Sequence, residues 1–336
     1  MKKIIRSICY FSDESKLELY ERLTRLAYRL EQNDFEIQTQ RVVFSGMSIA
    51  EVNHAVRDKS LFIGVGTLTR ESALPQIDDF LGDGNVAFNL DITRELKLED
   101  VDILFEIMRR NASKTFNFAF TVNTPPSTPF FPSATYEKIG FALGLQSTDL
   151  SASCGNIDEW LANMTIVWDE LMNLFSDEAD FLGIDSSVAP LWQGKSSLVA
   201  FIERVYQPFP MAVTTDIFTR ISSFVRARNP RPVGLCGLMF PCLEDAELAR
   251  QYSEDNFTME RNLFLSMHCG LGIDTYPIGM DESPERVLEI LQLLRALSNR
   301  YHKPLSARFV SDGTAKIGDK TDFKNQYLQD VVVRKL

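Results

Sequence analysis

Histidine is scarce in this chain of 336 residues, which contains three, at positions 54, 268 and 302. None of them is paired with another at the spacing of metal-binding histidines, so the sequence does not predict a zinc or similar transition-metal site. A magnesium site built from carboxylates alone stays open. We predict no cofactor.

Paired cysteines and long apolar runs are also missing. The five cysteines are odd in number, widely spread and contain no C-x-x-C pair, which is typical of reduced thiols in a cytoplasmic protein rather than of a disulfide framework. Arg6 interrupts the apolar start of the chain, so a signal peptide is not predicted. No run of 18 apolar residues occurs, so no membrane span is expected.

Positive charge is in deficit, with 35 Lys and Arg against 46 Asp and Glu and a net charge of −11. Nucleic acids and anionic membranes call for clustered basic residues, so neither is an expected partner. Small metabolites and other proteins remain, and we expect the chain to form a homo-oligomer.

Short β-rich runs alternate with amphipathic helical patterns along the chain. Helices are predicted from Asp13 to Gln32, where apolar residues recur at helical spacing, and from Pro284 onwards, with Ser283 as N-cap. About ten strands are counted, which predicts a mostly parallel α/β fold. The strand candidates are "KIIRSICYF", "FEIQTQRVVF", "LFIGVGTL", "NVAFNLDI", "TFNFAFTVN", "IGFALGLQ", "FLGIDSSVA", "VGLCGLMF", "CGLGIDTY" and "PLSARFV".

No linker, charge block or fixed repeat divides the chain, so residues 1–336 are predicted to form one domain. The longest irregular stretch is 123–140, which carries four prolines in "NTPPSTPFFPSATYEKIG". We interpret it as a loop folded over one continuous barrel or sheet, with a domain boundary as the alternative.

Two motifs resemble nucleotide-binding sequences without completing them. "APLWQGKS" (189–196) fits a loose phosphate-loop pattern, but Pro190 has no N–H and the usual interior glycines are absent. Nucleotide binding there is a remote alternative to simple helix capping. The alternate glycines of "GVGTL" and "CGLGID" lack the third glycine of a dinucleotide fingerprint and indicate close backbone approach to a neighbouring element or a ligand.

Cys269 and Glu244 are the reactive side chains that the patterns single out. Cys269 is predicted to start a strand after a helix, where a buried, inert thiol competes with a nucleophile. His268 would point away from it on an extended segment. Glu244 follows an apolar strand candidate and could act as an acid or base, whereas Asp245 fits the first turn of a helix.

Seven ordered blocks resemble uncharacterised protein family 0210, the domain of unknown function 711. They are "FEIQTQRVVF", "TPFFPSATYEKIGFALGLQ", "GIDSSVAP", "GLCGLMFPCLED", "HCGLGIDTYPIG", "HKPLSARF" and "GDKTDF". The resemblance implies a ten-stranded α/β barrel similar to those of pyruvate formate-lyase and ribonucleotide reductase, in which two five-stranded parallel halves surround a central loop. The C-terminal sequence lacks the R-V-x-G-[YF] glycyl-radical signature, so no glycyl radical is expected.

Two functions of different classes follow. The first is a metabolic enzyme for a small polar carboxylate or phosphate, in which Cys269, Glu244 and Asp274 supply thiol or proton-transfer chemistry. The second is a metabolite-binding or regulatory protein without catalysis. In both, arginines would provide paired donors to the anion. The predicted substrate-binding residues are Gln38, Arg41, Ser186, Ser187, Gly270, Gly272, Thr275 and Arg308.

Overall fold

Strands and helices alternate along the computed structural model, which describes residues 3–56, 58, 60–82, 84–191 and 196–336. Ten strands occur in this part of the chain: β1 (Lys3–Ser12), β2 (Phe35–Ile37), β3 (Gln40–Phe44), β4 (Phe62–Leu68), β5 (Val86–Asp91), β6 (Phe118–Val122), β7 (Gly140–Leu145), β8 (Phe181–Asp185), β9 (Gly272–Pro277) and β10 (Leu305–Val310).

Twelve α-helices occur among the same described residues. They are α1 (Leu17–Glu31), α2 (Ile49–Ala55), α3 (Arg70–Ala73), α4 (Ile77–Leu81), α5 (Leu98–Asn111), α6 (Ile157–Leu174), α7 (Leu198–Val205), α8 (Phe209–Ala212), α9 (Ile217–Arg228), α10 (Ala246–Ser253), α11 (Met259–His268) and α12 (Pro284–Tyr301). None of these described helices is both long and apolar enough to cross a bilayer. The predicted α/β class is confirmed.

Two helix predictions can be compared directly with the structure. Helix α12 begins at Pro284, and the Ser283 hydroxyl accepts a hydrogen bond from the Arg286 N–H, so the predicted N-cap is confirmed. Helix α1 begins at Leu17, later than predicted, and Leu17 is exposed. Its buried face is formed by Leu19, Leu23, Leu26, Ala27 and Leu30.

All ten strands form one sheet whose main path runs β8-β7-β1-β3-β4-β5-β6-β10-β9, with β2 paired to β1 beside it. Strands β1, β3, β4, β5 and β6 are parallel to each other, as are β7 with β8 and β9 with β10. The two groups meet antiparallel at β1–β7 and at β6–β10. The sheet is therefore mostly parallel and consists of two opposed halves.

The number of strands agrees with the prediction, although the segments that form them differ in part. "FEIQTQRVVF" forms two strands, β2 and β3, and the predicted strand at 233–240 is not a regular strand. Gly234 and Cys236 have positive φ angles of 67° and 46°, which interrupt an extended ladder. Single bridges nevertheless join Leu238 to Val188 and to Gly270, which lie beside β8 and β9 respectively. The sheet is not closed by a strand ladder between those edges.

The proline-rich segment 123–140 is largely buried against strands of both halves. The Asn89 side-chain amide in β5 donates to the carbonyl oxygens of Pro132 and Ala134, at 2.9 and 3.0 Å. A Cβ atom at Gly144 of β7 would lie 2.7 Å from the Phe130 ring, so glycine makes room for this segment. Because one loop contacts both halves, its conformation is tied to the position of the sheet.

Asp185, at the end of β8, connects three parts of the chain. Its fully buried carboxylate accepts hydrogen bonds from the Thr128 hydroxyl (2.6 Å), from the N–H groups of Leu235 and Cys236 (2.9 and 3.0 Å), and from the N–H and hydroxyl of Ser187. Thr128 belongs to the buried loop, whereas Leu235 and Cys236 belong to the irregular segment between the sheet edges. Both segments are thus fastened to the same strand.

We expect Asp185→Ala to lower the free energy of unfolding by about 3–5 kcal/mol, because several buried donors would lose their acceptor. Urea denaturation would measure the change. Asp102→Ala, at an exposed position of α5, is the matched control and should change stability by less than about 0.5 kcal/mol. A loss below about 1 kcal/mol for Asp185→Ala would show that these hydrogen bonds are dispensable.

Candidate functional site

A cavity of about 80 Å³ lies where the two halves of the sheet meet the buried loop. We call it the arginine cavity. It receives side chains from β1, β3, β9 and β10, from the loop, and from the segment after 238. Its lining comprises Arg6, Arg41, Phe62, Asn85, Ala87, Phe116, Asn117, Phe130, Phe131, Pro132, Ser133, Ala189, Pro190, Met239, Phe240, Pro241, Glu244, Leu271, Gly272, Asp274, Ser306 and Arg308.

Four of the charged lining residues form a continuous chain of ion pairs. The Arg308 guanidinium donates through Nε to Asp274 Oδ1 at 2.8 Å, and through Nη2 to Glu244 Oε1. The other Glu244 oxygen accepts from Arg6 Nη2 at 3.2 Å. Glu244 and Arg308 are buried, so both charges depend on these partners. The arrangement fixes two carboxylates at one end of the cavity.

Burial changes the proton affinity of Asp274. It raises the pKa of the Asp274 carboxyl, and the nearby Glu244 charge adds to the increase, while Arg308 opposes it. A carboxyl whose pKa is raised towards neutrality is better suited to exchange a proton than an exposed one. Asp274 therefore has the environment of a candidate acid or base.

Arg41 is the charged lining residue that stands apart from the ion pairs. Its Nε donates to the Thr39 hydroxyl at 3.0 Å, and its guanidinium lies 5.5 and 5.2 Å from the ring centroids of Phe62 and Phe131. No carboxylate among the described residues forms a salt bridge with it, although its side chain is buried. Two terminal nitrogens are thus left for a ligand.

The charges of the cavity do not balance. Burial lowers the pKa of Arg41 to about 9, and the positive charge of Arg6 adds to this decrease. Because this pKa still lies above neutral pH, the guanidinium carries its charge there. Three guanidinium groups then face two carboxylates among the described lining residues. A buried excess of one positive charge favours an anion of single charge.

The structure brings five predicted site residues together and separates the other six. Those that line the cavity are Arg41, Glu244, Gly272, Asp274 and Arg308. Those that do not line it are Gln38, Ser186, Ser187, Cys269, Gly270 and Thr275.

Cys269 occupies the C-cap of α11, and β9 begins three residues later at Gly272, so the prediction that Cys269 starts a strand is wrong. Its Sγ lies 3.5 Å from the Leu265 carbonyl oxygen. Burial raises the pKa of the thiol to about 12, and Lys303 only partly offsets this. Such a thiol is protonated at neutral pH and is a poor nucleophile. His268 is exposed and contacts the Phe264 ring instead.

The other predicted residues outside the cavity have local structural partners. The Ser186 hydroxyl donates to the Val225 carbonyl, and Ser187 binds Asp185. Gln38 accepts a hydrogen bond from Arg6, while the Thr275 hydroxyl accepts one from the Leu243 N–H. These contacts position backbone segments around the cavity. Gly270 closes the end of α11 through its N–H, which donates to the Leu265 carbonyl.

Asp245 and Gly272 each have a structural role in the fold. Asp245 was predicted in the first turn of a helix, and it lies at the start of α10 as the N-cap, where it also accepts a hydrogen bond from the Leu198 N–H. Burial raises its pKa to about 6. Gly272 has a φ of 110°, and a Cβ atom there would collide with the Ser306 carbonyl oxygen. The close backbone approach predicted from the alternate glycines is thus to strand β10.

The phosphate-loop candidate can be located only in part, because residues 192–195 lie outside the described residues. Ala189 and Pro190 line the arginine cavity, and the Ser196 hydroxyl donates to Asp149 at 2.9 Å. The Ser197 side chain caps α7. Elsewhere, the described part of the chain contains no group of three or more His, Cys, Asp or Glu residues arranged to hold a metal ion.

Sequence reasoning missed several lining residues, of which Arg6 is the most informative. It is a charged residue inside the apolar strand "KIIRSICYF", and a charge within a buried strand indicates a paired or functional side chain. That signal was available. The aromatic rings of Phe62, Phe116 and Phe131 gave none, because isolated aromatic residues are ordinary core residues.

Comparison with known proteins gives related chains in three Pyrobaculum species. A UPF0210 protein of Pyrobaculum aerophilum is 26% identical over 267 residues, covering 71% of this chain and 57% of that protein. Similar proteins of Pyrobaculum arsenaticum and Pyrobaculum islandicum are 28% and 25% identical, and the matches cover 46% and 68% of this chain and 35% and 56% of those proteins. The chain spans about half the length of the curated relatives it matches.

A family profile described as "Uncharacterised ACR (DUF711)" matches residues 101–325. This range includes Glu244, Asp274 and Arg308, whereas Arg6 and Arg41 precede it. Because the match extends over more than half of the sequence, the chain belongs to the DUF711 family.

Proposed function

We propose that this chain is a metabolic enzyme that binds a small carboxylate in the arginine cavity and transfers a proton with Glu244 or Asp274. Arg41 carries the proposal, since its buried guanidinium has no carboxylate partner among the described residues and lines a cavity. A carboxylate could accept two parallel hydrogen bonds from its terminal nitrogens. The ligand would provide the negative charge that the cavity lacks.

The size of the cavity limits the part of the ligand that it can hold. Its 80 Å³ is about half the volume of the roughly 150 Å³ engineered cavity that holds one benzene molecule. That suits the acidic end of a small metabolite and is too little for a nucleotide. The aromatic rings around Arg41 exclude water and so strengthen its attraction for an anion.

We also propose that the sheet curves into a barrel similar to those of pyruvate formate-lyase and ribonucleotide reductase, with segment 231–242 closing the gap between β8 and β9. The single bridges made by Leu238 and Pro241, and the loop that contacts both halves, support this proposal. In such a barrel the arginine cavity would lie inside, beside the buried loop.

Acid–base chemistry would involve the carboxylates next to Arg308. A ligand bound to Arg41 would lie in the same cavity as Glu244 and Asp274, and the raised pKa of Asp274 would let that group hold or release a proton. Arg308 and Arg6 would stabilise the negative charge that remains after the carboxyl gives up its proton. Cys269 has no part in this scheme.

A second candidate is binding without catalysis. One observation favours it: Glu244 and Asp274 are both held by Arg308, as in ion-pair networks whose role is structural. The cavity would then sense a metabolite rather than convert it. Turnover of a bound ligand distinguishes the two candidates.

We expect Arg41→Gln to weaken binding of small carboxylates by roughly tenfold or more, because a charge-assisted, paired hydrogen bond is lost. Isothermal titration with glycolate, which is small enough for the cavity, would measure this change. Arg25→Gln, at an exposed position of α1, is the control and should bind as the wild type does. Equal affinity in the Arg41→Gln and wild-type proteins would remove the basis of the proposal.

For catalysis, we expect Glu244→Gln to reduce turnover of a bound carboxylate by roughly 100-fold or more if Glu244 moves the proton. Ligands found by thermal shift would be incubated with the protein and followed by NMR. Asp274→Asn would show which of the two carboxylates is required, and exposed Glu21→Gln is the control. Ligands that bind the wild type but remain unchanged would support the non-catalytic candidate instead.

Cys269→Ser should leave carboxylate binding and any turnover within about twofold of the wild type, because its protonated thiol lies outside the cavity. Alkylation of the native protein near neutral pH should also be slow at this position. A large loss of turnover in Cys269→Ser, or rapid alkylation that ligand prevents, would restore the thiol mechanism.

A further inference from the structure

A second groove borders the arginine cavity. Phe62, Asn85, Phe116 and Asn117 line both, so the two spaces share a wall. We call the outer space the amide groove, since carboxamides are its most frequent polar groups. Five carboxamides line it: Asn85, Asn111, Asn117, Asn325 and Gln326.

Two of the carboxamides stand at the boundary between groove and cavity. Asn117 Nδ2 donates to Asn85 Oδ1 at 3.0 Å, which fixes the two side chains against each other. This contact leaves the side-chain oxygen of Asn117 as an acceptor and the side-chain amide nitrogen of Asn85 as a donor. A hydroxyl group both donates and accepts, so such a pair matches it.

The same pattern continues on the C-terminal side of the groove. Asn325 Oδ1 accepts a hydrogen bond from the Tyr327 N–H at 2.9 Å, which leaves its amino group for a ligand. The Tyr327 ring lies parallel to the Phe116 ring, with 7° between their planes and 6.5 Å between centroids. The Arg308 guanidinium also lies 4.9 Å from the Phe116 ring centroid, so the rings form the wall of the groove and the carboxamides supply its hydrogen-bonding groups.

Charge separates the groove from the cavity. None of the described residues that line the amide groove is acidic, and its two lysines already have partners: Lys114 donates to the Gly84 carbonyl oxygen, and Lys324 pairs with Asp322. The cavity, in contrast, holds three guanidinium groups and two carboxylates. A ligand that occupies both spaces would therefore have an anionic end and a neutral, hydrogen-bonding remainder.

We propose that the ligand is a polyhydroxylated carboxylic acid, that is, a sugar acid. Its carboxylate binds Arg41 in the cavity, and its hydroxyl groups bind Asn85, Asn117 and Asn325 in the groove. This inference rests on the proposed carboxylate site and adds the chemical class of the rest of the ligand. A hexonic acid is longer than the cavity can hold, so its hydroxylated chain extends into the groove.

Isothermal titration with four probes tests the inference: gluconate, hexanoate of the same carbon number, the short acid glycolate, and neutral glucose. Gluconate should bind roughly tenfold more tightly than either other acid, since it alone combines a carboxylate for the cavity with hydroxyl groups for the groove. Two substitutions, Asn117→Ala and Asn85→Ala, should each reduce the ratio of gluconate affinity to glycolate affinity. Asn85 is the more exposed of these two residues. The control is Asn173→Leu, which replaces an exposed asparagine on α6 and should leave that ratio unchanged.

The outcomes separate this inference from the carboxylate site itself. If hexanoate binds as tightly as gluconate, and all three acids lose affinity in Arg41→Gln, the sugar-acid inference is wrong while the carboxylate site stands. If no acid binds the wild-type protein, the carboxylate site is wrong as well. Glucose binding equal to that of gluconate would also overturn the inference, because the anionic end would then contribute nothing.

Discussion

The buried carboxylate of Asp185 is the constraint on which the centre of the molecule depends. It holds the loop through Thr128 and the irregular segment through the backbone of Leu235 and Cys236. Neither segment has a strand ladder of its own, and both contribute lining residues to the arginine cavity further along the chain. Satisfying several donors with one acceptor keeps these segments ordered where regular secondary structure cannot.

The arginine cavity combines two kinds of buried charge with different consequences. Removing a charge from water costs several kcal/mol, which partners such as those of Arg308 largely offset. Arg41 has a hydroxyl and two aromatic rings instead, so its charge is less well compensated among the described residues. Departures of this kind from ordinary burial rules are typical of functional sites, since a ligand completes the interaction.

The sequence carried enough information for the class of fold and for part of the site. Periodicity and capping predict α12 from Pro284, and four residues that the sequence predicts as site residues, Arg41, Glu244, Asp274 and Arg308, line the same cavity. The contact between β1 and residues far along the chain could not be read from local pattern. For the same reason the sequence left a buried thiol and a nucleophile as alternatives at Cys269, because burial and membership of the cavity lining are tertiary properties.

Segment 233–240 shows a second limit of pattern reasoning. Its apolar composition fits a buried strand, and Leu238 does bridge to both neighbouring segments. Glycine at 234 and the left-handed conformation of Cys236 turn the backbone so that the Asp185 carboxylate can receive its N–H groups. A side-chain acceptor from another strand thus replaced the ladder that periodicity predicted, and such replacements are not encoded in the segment itself.

The ion pair between Arg6 and Glu244 joins residues separated by 238 positions in sequence. Contacts between such distant positions form late, because the loop that they close must first lose its conformational freedom. During synthesis, Arg6 in strand β1 leaves the ribosome long before Glu244 does. Until Glu244 is in place, Arg6 lacks this counter-ion. The arginine cavity therefore forms only when nearly the whole chain has folded, so the proposed ligand affinity would report the completed fold rather than any intermediate.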